Sequence, residues 1–326
     1  MSLPIIDITP LSSNDRTQWQ PVIEQIDNAC RELGFFYVTG HGIPQQQFDH
    51  IESMASSLFN LPMKDKQAIS IELSNNHRGW GRLSAEKLDP AGELDCKESF
   101  DMALDLSPFH SQVTRCPQLY GPNQYPDISG FTQAVNQHYS LTLDVGLRLL
   151  KAMALALNEP EDRFTRHFNL PVSVLRMLHY PSQTVTTNGA GAHSDYGCIT
   201  LLYQDNSGGL QVLNKQDEWM DAPPVAGSFV VNIGDLMQRW TNDLYRSTKH
   251  RVTSPTSGAS RFSMPFFVEP DFDTPVTTLN SCLEETQGLG GYPLITAGDW
   301  ILSRFEDTYS YRKDEEAVEA ITANDV

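Results

Sequence analysis

The chain has 326 residues, of which 40% are hydrophobic and 20% charged, a composition that suits a folded protein large enough to bury a sizeable core. A formal charge of −18, from 41 acidic and 23 basic residues, repels a nucleic-acid duplex or an anionic membrane and argues against both as partners. Five scattered cysteines with no CxxC pair, no leader-like N-terminus and no apolar run near the roughly 18 residues that span a bilayer predict a cytoplasmic protein with reduced thiols.

In chain order, Leu3 to Ile8 reads as a short Ile-rich strand, and Trp19 to Leu33 as a helix with Val22, Ile26, Ala29 and Leu33 on one face. Gly34 stands where a helix-ending glycine belongs, Phe35 to Thr39 reads as a buried strand, and Gly40 to Pro44 as the turn that closes it. A second helix is predicted over Gln46 to Leu58. The stretch from Ser74 to Pro126, rich in Gly, Pro and charge, predicts long ordered loops with short strands. A third helix is predicted from about Ile128 to Leu157, where Val135, Tyr139, Leu143, Leu147 and Leu150 recur at helical steps. Beyond Val172, short β-type runs dominate: Val174–Tyr180, Ile199–Tyr203, Gly209–Val212, Ser228–Ile233, Phe262–Val268 and Trp300–Leu302. Turns such as Asn206-Ser207-Gly208-Gly209 separate them, the pattern of an antiparallel sandwich or barrel. No repeat or flexible linker interrupts the chain, and the acidic end from Asp314 to Val326 is expected to be solvated. The predicted class is therefore α+β: a helical N-terminal half packed against a C-terminal β core, in one integrated unit.

The chemistry concentrates in Ala190-Gly191-Ala192-His193-Ser194-Asp195-Tyr196-Gly197. Residues two apart in an extended segment project to one face, so His193 and Asp195 can reach one metal ion together. His250 follows 55 residues later. Two histidines and one carboxylate make a facial triad that leaves positions open on an octahedral ion, the arrangement of Fe(II) oxygenases that admit O2 and a chelating cosubstrate. HxD alone is a pattern that chance often produces. Arg261-Phe262-Ser263 adds a second feature: a guanidinium in a strand-like run, costly to bury without an anion. A dicarboxylate would supply that anion through a bidentate pair with Arg261, and Ser263 could donate to the same group. In Arg176-Met177-Leu178-His179-Tyr180, alternation places Arg176, Leu178 and Tyr180 on one face and His179 on the other. Tyr180 could add a third hydrogen bond. Arg176 is either a second cation for a substrate carboxylate or an ordinary salt-bridged arginine.

With these residues in view, the chain resembles the isopenicillin N synthase-like family of Fe(II)/2-oxoglutarate-dependent dioxygenases. LPIIDITPL, ACRELGFFYVTGHGIP, FNLPMKDK, NHRGWG and DCKESFDM resemble its N-terminal and middle segments. LRMLHYP, GAHSDYGCITLLYQDNSGGLQV, VVNIGDLMQRWTND, STKHRV and RFSMPFF resemble its oxygenase core. The resemblance implies a double-stranded β-helix (jelly roll) around iron, at about residues 171–273 of an oxygenase region spanning 126–326, preceded by an N-terminal region over 1–125. It implies that His193, Asp195 and His250 hold Fe(II), that Arg261, Ser263 and Tyr180 hold 2-oxoglutarate, and that O2 is consumed as succinate and CO2 are released. Plant members commonly carry Asn two residues before this tyrosine, where this chain has Leu178. The primary substrate is read only as a small molecule, to be hydroxylated, desaturated or closed into a ring. No oligomeric state is legible.

Three rivals stand beside this reading. One is an isopenicillin N synthase-type oxidase that uses the Arg-x-Ser pair for a substrate carboxylate and no 2-oxoglutarate. Another is an ethylene- and succinate-forming enzyme. The third is a non-catalytic jelly-roll binding protein, disfavoured because all three ligands and both anchors are present. Arg78, Trp80, Phe100, Met237 and Phe266 are candidate lining residues of the substrate pocket. Asn232, Gly234 and Asp235 read as a turn, Trp240 as packing, Asp243 as a scaffold hydrogen-bonding residue, and Lys97 with Glu98 as a structural ion pair.

Overall fold

The core strands are mostly short, and several are buried along their whole length. They are β1 (Ile5–Asp7), β2 (Phe35–Thr39), β3 (Gly79–Gly81), β4 (Glu98–Ala103), β5 (Val174–Tyr180), β6 (Asn188–His193), β7 (Ile199–Gln204), β8 (Leu210–Leu213), β9 (Trp219–Asp221), β10 (Phe229–Ile233), β11 (His250–Thr253) and β12 (Arg261–Val268). This is a computed structural model, and it describes residues 2–89, 91–185, 187–256, 258–288 and 290–308; the acidic stretch 314–326 lies outside them. One sheet has eight strands in the order β1-β2-β10-β7-β12-β5-β4-β3, and a second has four in the order β6-β11-β8-β9. From β5 to β12 the chain shuttles between them, with β5, β7, β10 and β12 in the large sheet and the other four in the small one. The strands β5 to β12, paired antiparallel and wound in this way between two facing sheets, are the expected jelly roll. The N-terminal strands extend the same large sheet, so the two halves share one framework.

Three helices, Gln20–Glu32, Gln45–Phe59 and Phe131–Ala156, cover the outer face of the large sheet. Between them and the sheet lies the main apolar core, which includes Ile26, Phe48, Leu149, Leu201, Phe229 and Phe266. A smaller cluster, including Phe35, Leu178, Leu210, Val230 and Val252, fills the space between the two sheets. Gly34 ends the first helix at φ +72°, and a Cβ there would fall 2.0 Å from the Arg246 carbonyl oxygen. No helix among the described residues is long and apolar enough to cross a membrane.

One predicted strand is corrected. Trp300–Leu302 lies in a helix, Ala297–Thr308, whose Ile301 and Phe305, four apart, are buried together. A three-residue apolar run carries no periodicity, so strand and helix look alike in it. Three of these core strands, β6, β9 and β11, went unread.

The long helix holds a buried histidine. His138 is 0% exposed, neither ring nitrogen has a hydrogen-bond partner among the described residues, and its ring packs edge-on against Phe48 with centroids 5.8 Å apart. Burial pushes its pKa down to about 4. The folded value lies below the unfolded one near 6.5, so the protein keeps this stability above pH 6.5 and loses it as pH falls toward 4. The acid-sensitive part is about 3 kcal/mol at most. Denaturant unfolding from pH 7.5 to 4 is expected to show a shallower loss in His138→Leu than in the parent; parallel curves would clear this imidazole of the effect.

Candidate metal centre

The antiparallel pairing of β6 with β11 sets His193 directly across from His250, with ring centroids 4.3 Å apart. Asp195, two residues past the end of β6, brings Oδ1 to 3.7 Å from His193 Nε2 and 3.6 Å from His250 Nε2. Among the described residues these three form the group whose ligand atoms, all within 4.8 Å of one another, could hold one metal ion.

The surroundings aim the donor atoms inward. His193 Nδ1 lies 2.7 Å from the Gly191 carbonyl and His250 Nδ1 lies 3.3 Å from that of Thr248. A proton on each Nδ1 satisfies those carbonyls and leaves each Nε2 lone pair facing the centre. Burial pushes the His193 pKa down, and His250 beside it pushes the same way, so the ring is neutral. Asp195 Oδ2 accepts from the Thr200 hydroxyl and, at 2.7 Å, from the Asn232 amide, which leaves Oδ1 for a metal. Burial opposes charge on Asp195, whereas any charge on His250 or His193 and the two donors, Asn232 and Thr200, favour it and hold the carboxyl below its ordinary range. Two neutral nitrogens and one carboxylate oxygen on one side of a cavity fit Fe(II) with open positions. Asn232, read from sequence as a turn residue, is thus an orienting partner of Asp195.

The same cavity is lined by Tyr180, Arg261 and Ser263. β12 pairs with β5 so that Arg261 stands opposite Tyr180, and its guanidinium lies over the Tyr180 ring, 4.8 Å from the centroid. Arg261 is 1% exposed. It donates to the Gly208 carbonyl at 2.7 Å, to Ser263 Oγ at 3.0 Å and to Gln204 Oε1 at 3.4 Å. Those bonds use one N–H on each nitrogen and leave two of the five donors of a guanidinium. No carboxylate lies within ion-pair distance of it, and the Tyr180 hydroxyl has no hydrogen-bond partner, among the described residues.

Arg176 lines the cavity on the face that alternation predicted. Its charge is already met: Nε and Nη2 clasp Asp101, at 2.5 and 3.0 Å, and Nη1 reaches Glu86 at 3.1 Å. The salt-bridged reading therefore fits the geometry, and the reading as a cation open to a substrate carboxylate does not. His179 points the other way, to Glu98 at 2.8 Å.

The other five candidate lining residues are not brought to the cavity. Phe266 and Phe100 face the helices, against Tyr139 and Phe131, because the inward alternation of Ser263 and of Asp101 sends them outward. Trp80 pairs across from Phe100 on that outer face and donates to Glu98 at 2.8 Å. Met237 is buried in the same outer core. Arg78 donates to the carbonyls of Asn76, His77 and Leu119 at 2.7 to 3.0 Å.

Lys97 and Glu98 do not pair with each other, for the same reason of alternation. Lys97 faces the cavity and bonds Asp95 at 2.6 Å and Glu86 at 3.1 Å, while Glu98 faces outward to Lys66 at 2.9 Å. Sequence reading also passed over Glu269, a cavity-lining acid 5% exposed. Burial first, and then the Asp195 carboxylate, push its pKa up to about 8.

Comparison with known proteins agrees with this geometry. Residues 3–128 match the family described as the N-terminal region of the non-haem dioxygenase in morphine synthesis, and residues 171–270 match the 2OG-Fe(II) oxygenase superfamily. The 2-oxoglutarate-Fe(II) type oxidoreductase hxnY of Emericella nidulans is 34% identical over 95% of this chain and 93% of its own length. The homoarginine-6-hydroxylase 2-ODD-233 of rice, Oryza sativa, is 34% identical over 93% of this chain and 96% of its own. The crystal structure of a full-length Neurospora crassa protein in complex with α-ketoglutarate and thymine superposes with a TM-score of 0.80, at 25% identity, over 94% of this chain and 96% of that one. These likenesses support the 2-oxoglutarate-dependent reading over its rivals. On the strength of both family matches and of relatives that span nearly its whole length, the chain belongs to the 2OG-Fe(II) oxygenase superfamily and is an Fe(II)- and 2-oxoglutarate-dependent dioxygenase.

Proposed function

We propose that His193, Asp195 and His250 hold the iron, that Arg261, Ser263 and Tyr180 hold the distal carboxylate of 2-oxoglutarate, and that a small organic substrate is oxidised in the cavity they share. The observation that carries this assignment is Arg261: a fully buried guanidinium with two N–H donors to spare and no carboxylate partner among the described residues, in the wall of the cavity that holds the triad. Bound Fe(II) supplies O2 activation coupled to the decarboxylation of 2-oxoglutarate to succinate.

The chain supplies placement. Gly208 and Gln204 fix the guanidinium so that its remaining donors meet a carboxylate with little ordering left to do. The Tyr180 hydroxyl adds a donor from the neighbouring strand. Leu178, which stands where plant members carry Asn, contributes only apolar wall. With Leu202, Leu210 and Val252 it keeps water from the anion, which strengthens each remaining bond. Thr200 and Asn232 hold Asp195 in the orientation and charge state a metal needs.

The regions follow the same reading: an N-terminal part over 1–125, and an oxygenase part over 126–326 with its core at about 171–273. We also place the protein in the cytoplasm, supported by five cysteines that are all free thiols. The rice relative is named for homoarginine and the Neurospora structure holds thymine, so a small-molecule substrate is supported while its identity differs among relatives.

Anaerobic equilibrium titration of the Fe(II)-loaded protein with 2-oxoglutarate and with 2-oxopentanoate tests the assignment. The second ligand has the same carbon chain without the distal carboxylate. 2-Oxoglutarate is expected to bind on the order of a hundredfold tighter, as a buried charged pair implies. Equal affinities would remove the distal-carboxylate role from Arg261.

A further inference from the structure

Glu269 is a carboxylate that neither the iron site nor the 2-oxoglutarate site employs. It closes the inward-facing row Arg261, Ser263, Pro265, Phe267 and Glu269, all of which line the cavity. The residue is 5% exposed, yet its carboxylate has no hydrogen bond or ion pair among the described residues. Its position is nonetheless well held. The Glu269 N–H donates to Ser173 Oγ at 2.9 Å, and the Ser173 hydroxyl donates back to the Glu269 carbonyl at 2.8 Å. Gly197 makes room for the side chain, since a Cβ there would come 2.7 Å from Glu269 Cγ.

Strand register separates this acid from the Arg261 pocket. Gln204, which touches Arg261, belongs to the β7 end paired with Ser263, whereas Thr200, which holds Asp195, pairs with Phe267. Along this wall, Arg261 and Glu269 therefore lie on opposite sides of the level of the triad. The nearby charges do not neutralise Glu269. Three cations near it are Arg78, Lys97 and Arg176, beside the carboxylates Glu86, Asp95 and Asp101. Those cations bond Asp95, Glu86, Asp101 or backbone carbonyls. Burial and then the Asp195 carboxylate hold Glu269 toward its neutral form, on the side away from Arg261. Burying a carboxylate without a partner is costly, and a ligand cation removes that cost. Other walls of the cavity are aromatic, with His77, Tyr196 and Phe305, and Phe267 stands beside Glu269 on its own wall, surfaces that favour a cation.

We propose that Glu269 determines substrate specificity by pairing with a basic nitrogen group, an ammonium or guanidinium, on the primary substrate, and so holds the substrate on the side of the metal ligands away from Arg261. This rests on the assignment of iron and 2-oxoglutarate made above.

The test is calorimetric titration of the anaerobic protein, loaded with Fe(II) and 2-oxoglutarate, with butylguanidinium, butylammonium and the neutral isostere butylurea. At least one cation is expected to bind about tenfold or more tightly than the urea, and Glu269→Gln to bring the two within about threefold. Glu269→Asp, which keeps the charge, is expected to retain the preference, and a parent-like melting curve shows that each variant folds. Equal binding of urea and cations by the parent, no measurable binding of either cation, or a preference that survives in Glu269→Gln would each overturn the proposal. The visible charge-transfer band of the same samples separates the two readings. No band means that the cosubstrate assignment fails, whereas a band without cation preference removes only the role of Glu269.

Discussion

Arg261→Ala is expected to weaken 2-oxoglutarate binding by on the order of 10²- to 10³-fold while Fe(II) affinity changes by no more than about threefold. The size of the loss follows from burial. At 1% exposure the guanidinium is out of water, so removing it leaves the ligand carboxylate desolvated with no counter-charge. The selectivity follows from position, because none of the three bonds of Arg261 reaches a triad residue. Arg261→Lys keeps the charge but loses the fork that bonds Gly208, Ser263 and Gln204 together, so it is expected to fall between the parent and Arg261→Ala. Parallel anaerobic titrations of iron and of 2-oxoglutarate check this. If both affinities fell equally, Arg261 would be a residue that holds the fold rather than the cosubstrate.

The second large effect is expected at the metal. His193→Ala removes one of three donors and should cost more than the roughly 10- to 100-fold that loss of an outer hydrogen-bonding partner costs a metal site. At near-stoichiometric iron the variant should hold almost none. The substitution leaves the pairing of β6 with β11 intact, since that register is made by backbone groups. A parent-like melting curve without metal would confirm that the lost iron is not a lost fold. Iron binding as tight as the parent's would take His193 out of the ligand set.

Much of this site was legible because a strand's side chains alternate. The period-two rule put Arg261 and Ser263 on one wall, Tyr180 on the next strand beside them, and His179 on the far side. The same rule, carried further along β12 and β4, sends Phe266 and Phe100 outward and brings Glu269 inward. Those residues were misread, or passed over, because residue type was weighed ahead of parity. Asn232 carries the same signal: a polar side chain at an inward position of an otherwise apolar strand, Phe229–Ile233.

β6 escaped detection for a different reason. Asn188-Gly189-Ala190-Gly191-Ala192 has poor intrinsic strand preference, but the fold requires small residues there. A Cβ on Gly191 would fall 2.7 Å from the Asp89 backbone nitrogen, and the Gly191 amide donates to Asp95 at 2.9 Å. A segment with weak strand preference is thus a strand because a loop lies against it, a tertiary fact with no local signature. Ion-pair partners were hidden in the same way. Arg176 meets Asp101 only because β4 and β5 pair in a register that sets the two opposite each other.

The central claim is that His193, Asp195, His250 and Arg261 act as one site for Fe(II) and 2-oxoglutarate. Anaerobic titration of the Fe(II)-loaded protein with 2-oxoglutarate, followed by visible absorption, tests it most directly. The expected result is a weak charge-transfer band that saturates at one equivalent per chain in the parent, disappears in His193→Ala, and in Arg261→Ala requires far more 2-oxoglutarate to develop. A protein that binds iron through these residues yet develops no band at any 2-oxoglutarate concentration would contradict the claim.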